Sequence, residues 1–314
     1  MKFNTEKEKL LNAVSLTSSL ATTRSTLPIL QNIFLEVKNN QLLVKSTDLD
    51  QTLEVLVDGM VSDKGALTIP ARLIVEYLNN NPDASITLDS NDLDLTIKST
   101  NHQAKIKGLA AEEYPSTPAI KPQSTVTLPL GQLRLAITKT IFVSASDDSR
   151  PILNGLLWRF NGKKLTIVGT DGYRLACQSL EISSEAEGDF IIPKRALQQL
   201  LKLPGEGELE VAFASNQVCF SIGLITLTSR LLDGNFPPYE AIIPKKMSLE
   251  IAINSHQLAK SLKLASLFSR DSAYSTKMLL EGETMKITAV SPQIGENTNE
   301  LKLATPVAVP LTIS

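Results

Sequence analysis

The residues around Pro28 return in altered form 123 positions later, and this spacing constrains the fold more than any other feature of the chain. Thr26-Leu27-Pro28-Ile29-Leu30 is followed by Asn32 and a strand-like run to Val37. Ser149-Arg150-Pro151-Ile152-Leu153 is followed by Asn154 and a strand-like run to Phe160. At the same offset, Leu43-Val44-Lys45-Ser46-Thr47-Asp48 answers Thr166-Ile167-Val168-Gly169-Thr170-Asp171, and Ile69-Pro70-Ala71-Arg72 answers Ile192-Pro193-Lys194-Arg195. Solenoid units are much shorter, so a period of this size means duplicated domains. A third copy begins after Lys246, with a strand over 249–253, a helix over about 256–268, and a run over 285–289 like the strand before each Thr-Asp pair. Boundaries near Lys121-Pro122 and Pro244-Lys245-Lys246 give domains 1–122, 123–246 and 247–314. Only 68 residues follow Lys246, so the third copy is expected to be incomplete, with apolar faces uncovered and a sheet edge open.

Within a copy, apolar residues alternate between helical and strand periods. Leu10, Leu11 and Val14 share a helical stripe, as do Leu133, Ile137 and Ile141. Further helices start after Pro70 and Pro193, since proline suits a first turn where its missing donor is not needed. Short β-rich runs over 66–69, 85–88, 93–98 and 103–107 lie between them. Two helices and about eight strands per complete copy predict an α+β fold, antiparallel sheets covered by helices on one side.

Charge leaves the function open. Against 33 acidic residues stand 31 Lys plus Arg, a net charge of −2 where many DNA-binding proteins are plainly basic. A near-neutral chain still holds DNA when its basic groups lie on one surface. Cys177 and Cys219 fit a reducing compartment, and no signal-like or membrane-length apolar run is present, so a cytoplasmic location is expected. Gly155 to Gly162-Lys163 lacks the spacing and the Ser or Thr of a phosphate-binding loop. His102 and His256, the only histidines, have no ligand spacing around them, so no metal or other cofactor is expected. Asp147-Asp148 and Glu112-Glu113 read as solvated loops. Asp48 and Asp171, duplicated at strand ends, read as turn residues capping backbone donors. A hydrolase or transferase with its site at a domain boundary would need a convergent polar constellation, and none is visible.

Thr170-Asp171-Gly172-Tyr173-Arg174-Leu175-Ala176, preceded by Pro151-Ile152-Leu153-Asn154-Gly155, closely resembles the bacterial DNA polymerase III beta subunit, the sliding clamp. Leu232-Asp233-Gly234-Asn235-Phe236-Pro237-Pro238-Tyr239 and Arg24-Ser25-Thr26-Leu27-Pro28-Ile29-Leu30 match the same family, and the similarity runs from Met1 to about Pro292. The resemblance implies a DNA clamp fold: a head-to-tail homodimer of three-domain subunits, a ring with sheets outside and two helices per complete domain lining the hole. It implies a non-catalytic processivity factor that encircles duplex DNA without sequence specificity. Its partners would be DNA, the DNA polymerase III alpha subunit, the clamp loader and other proteins carrying clamp-binding motifs, with no membrane.

A ring needs only modest, sequence-independent attraction to phosphates. The DNA-facing candidates are Arg134, Lys139, Lys194, Arg195, Lys202, Lys260 and Lys263, with Arg24 placed on a DNA-contacting loop by the resemblance. The partner-peptide groove is implied at Leu153, Thr170, Gly172, Tyr173, Arg174, Leu175, Pro237 and Ile242. Its apolar members would take a peptide's anchors, and Arg174 would offer directional donors. The ring-closing interface is implied at Leu267 and Phe268, facing Ala104 and Ile106 of a second subunit. The chain departs from the family pattern at Pro151-Ile152, where a tyrosine pair is usual, at Ala241, often arginine, and at Ala104, usually aromatic. The alternative is a clamp-like structural or decoy protein that does not close a ring.

Overall fold

The structure, a computed structural model, describes residues 1–21, 27–117, 120–145, 150–247 and 249–313, the side chain of Ser184 excepted. It divides into two compact units, Met1–Pro237 and Pro238–Ser314, described separately below.

The first copy opens with β1 (Lys2–Glu6) and α1 (Lys7–Ser18), then runs β2 (Asn32–Lys38), β3 (Gln41–Thr47), β4 (Gln51–Asp58), β5 (Met60–Asp63) and β6 (Gly65–Pro70). Helix α2 (Ala71–Asn80) leads to β7 (Ser85–Asn91), β8 (Asp94–Lys98) and β9 (Gln103–Lys107). The second copy repeats the order: β10 (Ser124–Pro129), α3 (Leu130–Thr138), β11 (Gly155–Thr170), β12 (Leu175–Pro193), α4 (Lys194–Lys202), β13 (Glu208–Phe213), β14 (Gln217–Ile222) and β15 (Ile225–Arg230). Pro70, Pro129 and Pro193 each take the N-cap position, one place earlier than the first-turn site expected. Each ends a strand and turns the chain into a helix without using an amide it does not have. Ile141, expected on the α3 stripe, lies beyond the helix in a short 3-10 turn (Ile141–Val143), because the helix stops at Thr138.

Strand pairing repeats with the sequence. Asn32 faces Pro70 across β2 and β6, and Gly155 faces Pro193 across β11 and β12. Thr47 faces Thr52 across β3 and β4, and Thr170 faces Leu175. The long strands β11 and β12 thus each combine two strands of the first copy, with the register shifting between Gly162 and Lys164. In the first copy the β2–β3 turn is Asn39-Asn40, both at positive φ (50° and 65°), as a primed two-residue hairpin requires.

The sheets do not stay within one copy. Strands β5-β1-β7-β8-β9 form one sheet, whereas β10-β13-β14-β15-β4-β3-β2-β6 form a continuous eight-stranded sheet in which β15 pairs with β4. This joint carries packing as well as hydrogen bonds. The first core holds Phe3, Leu10, Val14, Ile33, Leu35, Leu67, Ile74 and Ile97. The second holds Trp158, Phe160, Leu197, Phe213 and Phe220, together with Leu20 and Leu53 from the first copy. Polar links reinforce it: Gln199 Nε2 donates to Ser19 Oγ at 2.5 Å, and Leu56 N to Leu224 O at 2.9 Å. No disulfide joins Cys177 and Cys219, and burial pushes the Cys219 thiol pKa up.

The second unit contains α5 (Ser255–Phe268), β16 (Lys277–Ser291) and β17 (Gly295–Ile313), the two strands forming a sheet of their own. Asn254 caps α5 by accepting from Gln257 N at 3.0 Å. Ala265 on the helix packs with Leu280, Met285, Ile287, Leu301 and Leu303. The strand expected at 249–253 is not formed. Ile251 and Ile253 pack on the core, and one backbone bond links Ala304 N to Ala252 O at 3.1 Å. Its counterparts β1 and β10 are held by β7 and β13, strands that follow the second helix of each copy. Among the described residues 238–313 offer no such strand.

Candidate DNA-facing and partner-binding surfaces

Two turns of the same construction mark corresponding points of the first two copies. Asp48 Oδ1 accepts from Asp50 N (3.1 Å) and Gln51 N (2.8 Å), and Asp171 Oδ1 accepts from Tyr173 N (2.9 Å) and Arg174 N (2.8 Å). Thr47 Oγ1 accepts from Leu49 N and donates to Gln51 O, and Thr170 Oγ1 does the same with Gly172 N and Arg174 O. The capping role expected of both aspartates is what these bonds describe. Gly172 takes a left-handed φ of 92°, and Leu49 holds the matching position at φ 77°, costly for a residue with a Cβ.

The aspartates differ in what their second oxygen does. Asp171 Oδ2 binds its own turn, receiving Arg174 Nε at 3.0 Å. Asp48 Oδ2 reaches across the joint and receives Arg195 Nη2 at 2.8 Å. The backbone amides of Arg174 and Tyr173, then the Arg174 side chain, hold the Asp171 carboxyl at about 2, below its ordinary 3.8. A depressed folded pKa stabilises the turn above the unfolded value and ceases to do so as pH falls toward the folded one. The amide resonances of Tyr173 and Arg174 are therefore expected to hold their positions from pH 7 to about 4. They should move together between about pH 4 and 2, and in an Asp171→Asn protein that step should be absent.

Of the groove residues, 170–175 form this single turn. Leu153 and Thr170 are buried, Leu175 is half-buried, Pro237 and Arg174 are exposed, and Tyr173 stands 94 % exposed at the tip. A Cβ on Gly172 would lie 2.8 Å from Arg150 Nη1, so the 150–154 turn sits close beside it. Ile242 is exposed and belongs to the second unit.

The basic candidates separate by what they already bind. Arg134 donates to Gly205 O at 2.9 Å and to Leu203 O, tying down the chain just after α4. The carbonyls there need donors, so this guanidinium acts as an internal clamp, which the sequence expectation of a DNA contact did not foresee. Lys194 Nζ donates to Ser144 O at 3.2 Å, and Arg195 bridges to Asp48. Lys139, Lys202, Lys260 and Lys263 are exposed. Arg24 lies outside the described residues, as do Asp147 and Asp148. Of the interface candidates, Ile106 lies on the edge strand β9 with its side chain buried in the first core. Ala104 and Phe268 are half-buried and Leu267 is exposed.

Among the described residues no group of three His, Cys, Asp or Glu could hold a metal ion, and no helix is long and apolar enough to cross a membrane.

Sheets that continue from one repeat into the next, with two helices in each of the first two copies, define a repeated-domain clamp architecture. Residues 1–118 match the model of the DNA polymerase III beta subunit N-terminal domain, and residues 127–238 match that of its central domain. The chain belongs to the DNA polymerase III beta subunit family, the bacterial sliding clamps. It is 28 % identical over 308 residues to a beta sliding clamp of Staphylococcus epidermidis, covering 94 % of this chain and 82 % of that protein. A beta sliding clamp of Staphylococcus aureus is 27 % identical with the same coverage. The crystal structure of the DNA polymerase III beta subunit from Pseudomonas aeruginosa superposes with a TM-score of 0.93 at 28 % identity, covering all of this chain and 87 % of that one. The Bacillus subtilis DNA polymerase sliding clamp gives 0.93 at 25 % identity, with 99 % and 86 % covered. The fold is the α+β clamp fold, and a protein of this family is not an enzyme.

Proposed function

We propose that the chain is a clamp-type DNA-associated scaffold that does not close a ring. The observation that carries this is the contrast between units. Among the described residues, 1–237 hold four α-helices and a sheet continuous through the joint, whereas 238–313 supply one α-helix and a separate two-stranded sheet. In this reading the domains are 1–122, 123–246 and 247–314. The exposed Lys139, Lys202, Lys260 and Lys263, with Arg24, Lys194 and Arg195, meet phosphates without reading bases. The turn 170–175 with Leu153, Pro237 and Ile242 receives the short motifs of the DNA polymerase III alpha subunit, the clamp loader and other clamp partners, in the cytoplasm.

A second reading, a closed head-to-tail homodimer that encircles duplex DNA, is favoured by β9. Within residues 1–237 this strand pairs only with β8, yet its repeat counterpart β15 pairs on both sides, so its free edge is shaped to receive another strand. Ala104 would lie there, opposite Leu267 and Phe268 of a second subunit.

Topology separates the two. A protein that does not close a ring holds DNA by phosphate contacts alone, so its binding falls steeply with salt. A ring on covalently closed DNA is retained whatever the salt and slips from linear ends. Without ring closure, protein incubated with its loader is expected to wash off circular and linear DNA alike on raising the salt. Salt-resistant retention on circles that is lost on linearisation would overturn this reading.

A further inference from the structure

At the joint of the two copies lies a cavity of roughly 690 Å³, a size ordinary for small-ligand sites, whose lining includes Lys194 and Arg195 of the proposed phosphate-facing set but, of the peptide-groove residues, none. Three elements meet on it: the Asp48 turn with Asp50 and Gln51, the turn ending at Asn154, and the start of α4 with Lys194 and Arg195. Arg230 lines it from β15, and Pro151, Leu231 and Leu232 give it an apolar part.

Two features point to an occupant. The nine-residue helix α4 starts on the cavity with Pro193 at its N-cap and no side-chain cap, so its first amides and the positive end of its dipole are open to an anion. Independently, Gln51 is 96 % buried (4 % exposed), and its Oε1 has no hydrogen-bond partner among the described residues; Asn154 Oδ1 is likewise unpaired. Buried acceptors without donors are costly and uncommon, and here both line one cavity. The charged groups are arranged to exchange partners. Arg195 is held by Asp48 at 2.8 Å, and Arg230 lies 4.0 Å from Asp50. An incoming oxyanion would compete for both guanidiniums, while a donor on the same molecule would find Gln51 and Asn154.

We propose that this cavity binds a small molecule joining an oxyanion to N–H donors, the oxyanion at the start of α4 and the donors on Gln51 and Asn154. Such a ligand bridges the first copy to the second and tightens the joint. The oxyanion comes from a carboxylate, as in an aspartate-containing tripeptide, or from a phosphate, as in adenosine monophosphate.

The full chain is titrated separately with each of these two probes by isothermal calorimetry, with amide NMR as a second readout. One probe is expected to bind saturably at a single site, the stronger naming the source of the anion. Gln51→Met, which keeps the length and apolar packing of the side chain, should weaken it at least 10-fold. Arg230→Ala, at an exposed rim position that does not test folding, should weaken it at least 3-fold. Absence of saturable binding by either probe at 10 mM would overturn the proposal. So would binding that both variants leave unchanged while their unfolding curves match the parent. Neither result bears on whether the chain closes a ring, which the DNA-retention experiment decides.

Discussion

Trp158→Ala is expected to lower the stability of residues 1–237 by about 3–5 kcal/mol, read as a shift of the urea midpoint of a single transition. Trp158 is fully buried at the centre of the second core, edge-on to Phe220 with ring centroids 6.0 Å apart. Beside it, Phe160, Phe190 and Phe213 form an aromatic set, with Phe190 stacked on Phe213 at 3.9 Å. A core relaxes only partly around a space of indole size, so a cavity is expected to persist. The indole Nε1 has no hydrogen-bond partner among the described residues. An unpaired buried donor costs about 1–3 kcal/mol, so Trp158→Phe, which removes it while keeping an aromatic ring, should recover most of the loss. A phenylalanine variant as unstable as the alanine one would mean that the indole is held by something other than packing.

The second large effect concerns the joint. Leu53 is a β4 residue of the first copy, yet its fully buried side chain belongs to the core of the second, opposite Leu227 of β15. Leu53→Ala is expected to cost about 2–5 kcal/mol, as other core Leu truncations do. Leu35→Ala, equally buried but inside the first core, should cost a similar amount. The difference lies in cooperativity. Leu35→Ala should leave one unfolding transition, whereas Leu53→Ala should split it, because the pairing that couples the two cores is what has been weakened. Calorimetry on both variants resolves this, and a single sharp transition for Leu53→Ala would show that β4 and β15 couple the copies without its help.

These effects also indicate where the sequence was informative. The 123-residue offset carried more than domain duplication. It carries strand register, since residue pairs such as Asn32 with Pro70 and Thr47 with Thr52 reappear displaced by that offset. The capping aspartates were legible for a local reason: an Asx turn is encoded by residues within three positions of one another. The β15–β4 joint was not legible. It pairs residues some 170 positions apart, and edge strands bear no local mark of which edge they will meet. The sequence reads Arg134 and Arg195 as DNA-facing because the resemblance implies helices whose basic side chains line a hole. Their commitment to carbonyls and to Asp48 depends on where a distant loop or turn is placed. The sequence places Ile106 on an edge strand, and β9 is the edge of its sheet; what it leaves open is that the alternation along β9 turns the Ile106 side chain into the core. The segment 249–253 has strand composition without a strand partner, and composition alone does not form a ladder.

Whether the chain closes a ring is decided most directly by the mass of the 1–314 chain in solution, measured by light scattering across a concentration series from low to high micromolar. The expected result is a monomer whose mass stays near 34.2 kDa throughout. A mass of twice that value, persisting on dilution, would contradict the account and make a closed homodimer around DNA the working description.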